Sequence, residues 1–262
     1  MLAQRGRMSA PSRPPLRWAR APRAAWRLLR VLGQVLSGLA TVLLRFPRLN
    51  EAERAQQVEQ WSRQMLRVLG IELRVLGQPL AHGPALLVSN HISWLDILVL
   101  HASRHCRFVS KSEVRHWPLI GAMAAAAGTL FIERASRRDA LRVVHDMHAS
   151  LVAGDVLAVF PEGTTGDGLQ VLPFHANLLQ AAVSADAPVQ PVALKFVEVA
   201  SGARSLAPCY VGDDTLVGSL WRTLSSDPIA AVVQFGVPEH AHGRDRRAWA
   251  LDLQRTVSEL AA

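Results

Sequence analysis

The sequence predicts a mixed α/β fold, in which a largely parallel sheet is flanked by helices and preceded by an N-terminal pair of membrane-interface helices. From Ile71 onward, short apolar runs alternate with segments of helical periodicity, as in α/β domains with a mainly parallel sheet. Before that point the chain shows two consecutive helical segments instead. With 262 residues, half of them hydrophobic, the chain is long enough for one large domain and an appendage.

Charge and composition divide the chain into three predicted parts. The net charge is +8, but ten arginines and no acidic residue fall within residues 1–50, so the excess positive charge belongs to the N-terminus. Residues 1–22 are rich in Arg, Pro and Ala without an apolar period, which predicts a disordered basic arm. We expect a helical membrane-associating segment over residues 23–69 and a globular domain over residues 70–262.

The first predicted helix contains an uncharged run of 14 residues, from position 31 to position 44. A helix that spans a membrane needs about 20 apolar residues, although Arg27, Arg30 and Arg45 can extend their charges toward water. No small-residue cleavage site follows, so we expect an uncleaved helix that lies in the membrane interface. A single span is the alternative, and a buried core helix is the third interpretation.

The second predicted helix covers residues 51–69. Its apolar residues recur at helical spacing, and Gly70 is expected to end it. The remaining predicted helices are 94–100, 111–127 with a break at Trp117-Pro118, 140–153, 177–187, 216–224 and 247–260. The predicted strands are 71–76, 85–88, 108–109, 130–132, 156–160, 189–196 and 230–235.

The first polar block, residues 89–96, follows a buried strand and leads into a helix. Ser93 is a suitable helix N-cap, and Asp96 three residues later completes a capping-box pattern. His91 therefore lies in a strand-to-helix loop, where α/β sheets place their sites. His91 and Asp96 can meet only if a turn separates them, and a carboxylate that touches an imidazole produces a general base. A loop histidine beside an aspartate that only caps its helix is the other interpretation.

Two further polar blocks follow later strands. Glu133 and Arg134 come just after the strand at 130–132, where a guanidinium can bind phosphate or simply pair with the glutamate. Residues 160–168 contain three glycines, which allow close backbone approach to a ligand or form a plain turn. This block lacks the lysine of a P-loop. Pro191 lies within a predicted strand, either in a pocket wall or at a sheet edge.

Together these blocks resemble the glycerophospholipid acyltransferase family, in particular the lysophosphatidic acid acyltransferases. His91 and Asp96 match the first block of that family, a histidine and an aspartate separated by four residues. The other matches are Gly128 through Phe131 to Arg134, Phe160 to Thr164, Pro191-Val192, and the segment beginning Lys111-Ser112-Glu113. The four blocks occur in the family's order between about residue 70 and residue 200.

The resemblance implies acyl transfer from acyl-CoA or acyl carrier protein to the free hydroxyl of lysophosphatidic acid. It assigns proton removal to His91, the orientation of His91 to Asp96, and the acceptor phosphate to Arg134. It further implies acceptor binding by Glu162, Gly163 and Thr164, and supporting positions at Lys111, Glu133, Phe131 and Pro191. No metal or redox cofactor is expected. The expected partners are membrane lipids, the lysolipid and the thioester donor, not nucleic acid.

Several features favour alternatives. Thr165-Gly166-Asp167 stands where many members of the family carry Arg or Ser, and His175 stands where a lysine commonly follows the phenylalanine. Residues 210–214 are similar to a subset that includes lyso-ornithine lipid acyltransferases. That acceptor has no phosphate. A non-catalytic membrane lipid-binding module is the alternative outside enzymes. A metal site at His101 and His105 lacks a third ligand. The arginine-rich flanks predict the cytoplasmic face of the membrane.

Overall fold

The computed structural model describes residues 20–132 and 137–262. Within these residues the strands are β1 (Ile71–Leu76), β2 (Ala85–Ser89), β3 (Arg107–Lys111), β4 (Leu130–Ile132), β5 (Val156–Val159), β6 (Val189–Glu198) and β7 (Ile229–Phe235). The helices are α1 (Ala21–Leu44), α2 (Glu51–Leu69), α3 (Leu95–Ser103), α4 (Ile120–Ala126), α5 (Arg137–Val152), α6 (Leu179–Ala185), α7 (Leu216–Ser225) and α8 (Arg246–Ala261).

The N-terminal helices α1 and α2 pack against each other. A capping box formed by Asn50 and Glu53 begins α2, and Gly70, with φ of +79°, ends it at the predicted position. Gly38 allows a close approach, since a Cβ atom there would lie 2.5 Å from Nε1 of Trp61. That same Nε1 donates a hydrogen bond of 2.9 Å to the carbonyl of Gln34. The first helix begins at Ala21, two residues before the predicted boundary at 23. Residues 1–19 of the predicted arm lie outside the described residues.

The sheet has the strand order β1-β7-β6-β2-β5-β3-β4. Neighbouring strands are parallel except for β6 and β7, which are antiparallel, so the predicted mixed, largely parallel sheet is confirmed. Strands β2 to β6 run in one direction, and their carboxyl ends therefore lie along one edge, called the site edge below. In α/β sheets this edge is where ligands bind.

Helices cover both faces of the sheet. Leu87 of β2 belongs to a hydrophobic cluster with Leu69 of α2 and Leu100 of α3. The neighbouring side chain, Leu86, points to the other face and joins Trp249 of α8 in a second cluster. Burial on both faces explains why the central strands are continuously apolar rather than alternating.

The structure corrects three expectations. Pro191 lies in β6, an interior strand, so the interpretation as a sheet edge is wrong. The proline is tolerated because antiparallel pairing with β7 starts only at Val192. The predicted helix at 111–127 is reduced to a 3-10 turn (Ser112–His116) followed by α4, since Pro118 holds Trp117 in an extended conformation. The predicted helix at 177–187 likewise becomes a short 3-10 turn followed by α6.

Candidate active site

His91 and Asp96 meet at the site edge, just beyond the end of β2. The Nδ1 atom of His91 lies 2.8 Å from Oδ2 of Asp96. The Asp96 side chain is fully buried, whereas 19% of the His91 side chain is exposed. Since Nδ1 is engaged by the carboxylate, Nε2 is the ring nitrogen available to a proton donor from solvent or substrate. The pair has the geometry of a general base and the group that orients it.

A tight turn between the two residues brings them together. Oδ2 of Asp96 also accepts hydrogen bonds from the backbone N–H groups of Ile92, at 2.6 Å, and Ser93, at 2.9 Å. The bond from Ser93 is one half of the predicted capping box. The other half does not form, because α3 begins at Leu95 and the Ser93 hydroxyl accepts from the Leu95 N–H at 3.3 Å. Asp96 is therefore a turn-forming residue as well as a partner of His91.

Glu162 holds the backbone of His91. One carboxylate oxygen accepts from the His91 N–H at 2.6 Å, and the other accepts from the Leu172 N–H at 2.9 Å. Only 6% of Glu162 is exposed. This buried position differs from the acceptor contact that the family resemblance implies, because both oxygens already bind the protein. Glu162 instead joins the loop after β5 to the histidine loop.

The His91 ring stacks on Phe160, with ring centroids 3.9 Å apart and an interplanar angle of 9°. Phe160 directly follows β5, the neighbour of β2 in the sheet. A second backbone contact comes from Gly166, whose N–H donates to the His91 carbonyl at 2.8 Å. The ring and both backbone polar groups of His91 are thus fixed, which leaves little rotational freedom for the imidazole.

The glycine block forms a turn beside this histidine. Gly163 has a φ of +72°, a conformation that favours glycine. Its N–H donates to the Phe160 carbonyl at 3.1 Å, so this amide is engaged and does not face a reacting oxygen. Thr164 is exposed. The Gly163 amide is therefore not free to bind an oxygen atom of a ligand.

The other predicted site residues lie along the same edge or outside the described residues. Lys111 is exposed at the end of β3, and Ile132 pairs with it at the end of β4. Phe131 is half-buried, with the Arg115 guanidinium 5.8 Å from its ring centroid. Pro191 pairs with Val88 in the register of β6 and β2. Glu133 and Arg134 lie outside the described residues.

His101 and Cys106, two further residues with potentially reactive side chains, are both buried. Burial lowers the pKa of His101 to about 3, and its ring stacks on His105 with centroids 5.5 Å apart. In the described part of the chain, no group of three His, Cys, Asp or Glu residues is placed to hold a metal ion. Burial raises the pKa of the Cys106 thiol, which opposes formation of the nucleophilic thiolate.

A surface cavity of about 500 Å³ beside His240 and Asp186 lies near the start of β6, away from the site edge.

Sequence reasoning missed two supports of the histidine loop. The buried side chain of Asn90 accepts from the Leu194 N–H at 2.7 Å and donates to the Leu194 carbonyl at 3.0 Å, joining the end of β2 to β6. The hydroxyl of Ser93 donates to the Pro208 carbonyl at 2.6 Å. The polar Ser89-Asn90 pair after an apolar strand was the available signal for Asn90. No local signal indicates Pro208, which is 115 residues away along the chain.

The buried Glu162 gives a prediction about pH. Burial raises the pKa of this carboxyl, against the opposing effect of the Leu172 and His91 N–H groups. Since the folded pKa lies above the unfolded value of about 4.3, the group's contribution to stability is full below that value and is lost as the pH rises through the folded pKa. We therefore expect the free energy of unfolding of the wild type, relative to Glu162→Gln, to fall as the pH rises from about 4 toward neutrality.

Unfolding of both proteins in the same detergent across this pH range measures the difference. Glutamine offers one acceptor oxygen, so one N–H group loses its partner at a cost of about 1–3 kcal/mol, which does not depend on pH. The slope of the difference is therefore the diagnostic quantity. A wild-type advantage that grows with pH would show that the folded pKa is lowered instead.

Comparison with known proteins agrees with the fold and the order of the blocks. A sequence model of the family described as Acyltransferase matches residues 70–195. A lyso-ornithine lipid O-acyltransferase from Pseudomonas aeruginosa is 37% identical over 88% of this chain and 90% of its own length. A 1-acyl-sn-glycerol-3-phosphate acyltransferase from Neisseria meningitidis is 36% identical over 80% of this chain and 82% of its own.

A solved structure has the same fold. The 1-acyl-sn-glycerophosphate acyltransferase PlsC from Thermotoga maritima superposes with a TM-score of 0.62 over 90% of this chain and 98% of its own, at 22% identity. The sheet and the ordered blocks along its site edge define the class of lipid acyltransferases. This chain belongs to the glycerophospholipid acyltransferase family, and it is an enzyme that transfers acyl groups to lysolipids.

Proposed function

We propose that the enzyme uses His91 as a general base to transfer an acyl group from a thioester, acyl-CoA or acyl carrier protein, to the free hydroxyl of a lysolipid. The observation that carries this proposal is the 2.8 Å contact between His91 Nδ1 and the buried Asp96 carboxylate. A buried carboxylate fixes the tautomer with the proton on Nδ1 and leaves Nε2 as the acceptor.

The reaction proceeds in two steps. Nε2 of His91 takes the hydroxyl proton as the lysolipid oxygen attacks the thioester carbonyl, and a tetrahedral intermediate forms. The Asp96 carboxylate stabilises the imidazolium that results. The carbon–sulfur bond then breaks, the ester remains on the lipid, and the departing thiolate takes the proton from His91. Proton transfer of this kind contributes about 10²–10⁴-fold to the rate.

The first candidate acceptor is lysophosphatidic acid, which would yield phosphatidic acid. The Neisseria meningitidis relative is named for this acceptor. Lys111 is an exposed cation at the site edge, and Arg134 follows β4 in the sequence. A charge-assisted contact to a phosphate is worth about 1.5–3 kcal/mol, enough to select a phosphorylated acceptor.

The second candidate acceptor is a lyso-ornithine lipid. The relatives from Pseudomonas aeruginosa and Brucella abortus carry this name, the latter 38% identical over 74% of this chain and 77% of its own length. Two exposed acids support it. Asp167 lies in the glycine block and Asp213 lies in the loop that contacts this block through Tyr210. An ornithine headgroup carries an ammonium, which carboxylates attract.

An acceptor panel separates the two candidates. The full-length protein in vesicles receives labelled acyl-CoA or acyl carrier protein with either lysophosphatidic acid or lyso-ornithine lipid, and extracted lipids are separated by charge and mass. Label in phosphatidic acid supports the first candidate, and label in ornithine lipid supports the second. His91→Ala protein is the blank. The proposed function would be contradicted if neither lipid became labelled. It would also be contradicted if wild type and His91→Ala labelled a lipid to the same extent.

We also propose that α1 holds the enzyme on one leaflet as a monotopic helix, on the cytoplasmic face. In the part of the chain that the structure describes, Ala21–Arg48 is the single segment long and apolar enough to cross a membrane. Its inner face packs on the domain through Ala24, Val31 and Gly38. Its outer face exposes Leu29, Leu32, Leu36 and Leu43 by 53–64%. A helix bound to its domain along one face and apolar along the other fits the plane of a membrane interface.

Replacing two leucines of this face tests the membrane proposal. We expect Leu29→Gln/Leu36→Gln to weaken partitioning into anionic vesicles by at least about 10²-fold, since each buried leucine contributes about 1.5–3 kcal/mol. Co-sedimentation at high salt measures the effect without the electrostatic attraction. The matched control is Leu141→Gln/Leu251→Gln, two leucines of similar exposure on α5 and α8. Equal loss in both variants would argue against α1 as the anchor.

A further inference from the structure

A loop outside the family match closes over the histidine turn. Residues 207–214, called the closing loop here, connect β6 to α7 and have no regular secondary structure. The family model ends at residue 195, so this loop lies outside the residues that the model matches. Its apolar residues Ala207 and Cys209 pack in the same hydrophobic cluster as Ile92 and Trp94. The loop therefore packs directly against the turn that joins His91 to Asp96.

The closing loop binds both residues of that turn. The Tyr210 N–H donates to the Ile92 carbonyl at 3.1 Å, and the Ser93 hydroxyl donates to the Pro208 carbonyl at 2.6 Å. Ile92 and Ser93 are also the two residues whose N–H groups donate to Asp96. Each residue of the turn is thus held by Asp96 on one side and by the closing loop on the other.

The same loop reaches the glycine block. The Thr165 hydroxyl donates to the Tyr210 carbonyl, and the Cys209 thiol donates to the Asp167 carbonyl at 3.4 Å. Gly166 lies between these two contacts and donates its N–H to the His91 carbonyl. The closing loop therefore joins the first and third blocks, whose mutual position sets where His91 stands.

One arginine of α7 fastens the closing loop. The Arg222 guanidinium donates to the carbonyls of Ala207, at 3.0 Å, and Cys209. It also forms a two-point ion pair with Asp214, at 3.1 and 3.0 Å. A planar fork of five N–H donors can bind both ends of a loop at once, which a lysine cannot do. Nothing in these contacts involves the reacting atoms.

We infer that Arg222 is a positioning residue for acyl transfer, because it holds the closing loop against the Ile92-Ser93 turn and so fixes Asp96 toward His91. This inference rests on the proposed role of the His91–Asp96 pair. A displacement of about 1 Å by a distant change can lower a rate about 10²-fold, because the reacting groups lose alignment. The loss should appear in the chemical step rather than in the binding of either substrate.

The experiment compares Arg222→Ala with wild type in vesicles, with kcat and KM measured for donor and acceptor. We expect kcat to fall about 10–10²-fold while both KM values change by less than about threefold. Arg222→Lys should recover only part of kcat, since the ammonium lacks the fork. Arg244→Ala is the matched control. Arg244 also binds backbone carbonyls, those of Ala241 and His240, and two carboxylates, but far from this turn.

A double-mutant cycle separates positioning from general destabilisation. If Arg222 acts through the pair, Arg222→Ala should lower kcat by less than about threefold in a His91→Ala background, which has no imidazole to align, because residues that act as a unit are not additive. Equal losses in both backgrounds would overturn the inference. A kcat of Arg222→Ala within about twofold of wild type would also overturn the inference. So would a loss of kcat that is fully explained by a smaller folded fraction, as measured by thermal unfolding.

A second variant covers poor folding of Arg222→Ala. Asp214→Asn removes the ion pair with Arg222 but keeps the hydrogen bonds from the guanidinium to the carbonyls of Ala207 and Cys209. We therefore expect kcat to fall by a smaller factor than in Arg222→Ala. An unchanged kcat in Asp214→Asn together with Arg222→Lys would overturn the inference. A separate result would contradict the proposed function: His91→Ala would keep wild-type turnover while Arg222→Ala lost turnover.

Discussion

Replacing His91 with alanine is expected to lower turnover by about 10²–10⁴-fold, because the reaction would lose the general base that we propose. The imidazole of His91 combines a buried carboxylate partner with partial exposure at the site edge. Its removal leaves the Asp96 carboxylate with the Ile92 and Ser93 N–H groups, so the turn retains two of its three hydrogen bonds. We therefore expect a folded protein with normal membrane binding.

The measurement is kcat for labelled acyl transfer to the preferred acceptor, with vesicle binding and thermal unfolding recorded on the same preparation. His145→Ala is the matched control, because this histidine is exposed on α5. It should leave turnover unchanged. Near-wild-type turnover by a pure, folded His91→Ala protein would remove the basis of the mechanism. A loss accompanied by unfolding would point to the stacking on Phe160 as the main role of the ring.

Most of the helices and strands could be predicted from local sequence signals. The helix α2 has the predicted bounds because its start and end are encoded locally, by the Asn50 and Glu53 capping box and by Gly70. The strand β2 is apolar on both faces and therefore had to be interior. The segments around Trp117 and Leu178 were overestimated as helices, because short 3-10 turns share the apolar spacing of a helix.

The site could be predicted in outline but not in its connections. The spacing of His91 and Asp96 required a turn, and the structure contains one. The sequence did not show that Glu162, 71 residues away, would hold the His91 backbone, nor that Arg222 would fasten a loop over Ser93. Such contacts depend on the packing of distant segments, which leaves no periodic signal. The blocks thus indicate the candidate site residues better than the residues that position them.

The geometry of Asp96 makes Asp96→Asn an unusually selective test of charge. All three donors, from His91, Ile92 and Ser93, bind Oδ2. Oδ1 is buried, and no described residue hydrogen-bonds it. An asparagine can therefore place its carbonyl oxygen at the Oδ2 position and its NH₂ group at the Oδ1 position. The three hydrogen bonds and the imidazole tautomer would be retained, and the negative charge alone would be lost, apart from about 1–3 kcal/mol for the unpaired NH₂ group.

We expect Asp96→Asn to lower kcat by about 10²–10³-fold, less than the ~10⁴-fold that follows when such a replacement also reverses the imidazole tautomer. The physical reason is that the transition state contains an imidazolium, and a buried carboxylate stabilises that charge while an amide does not. Asp146→Asn, at an exposed position on α5, is the matched control and should have no effect. If Asp96→Asn turned over within a few-fold of wild type, the carboxylate would serve to build the turn and its charge would have no part in catalysis. A loss of about 10⁴-fold, with the fold intact, would instead indicate that the amide had flipped and the imidazole had lost its orientation.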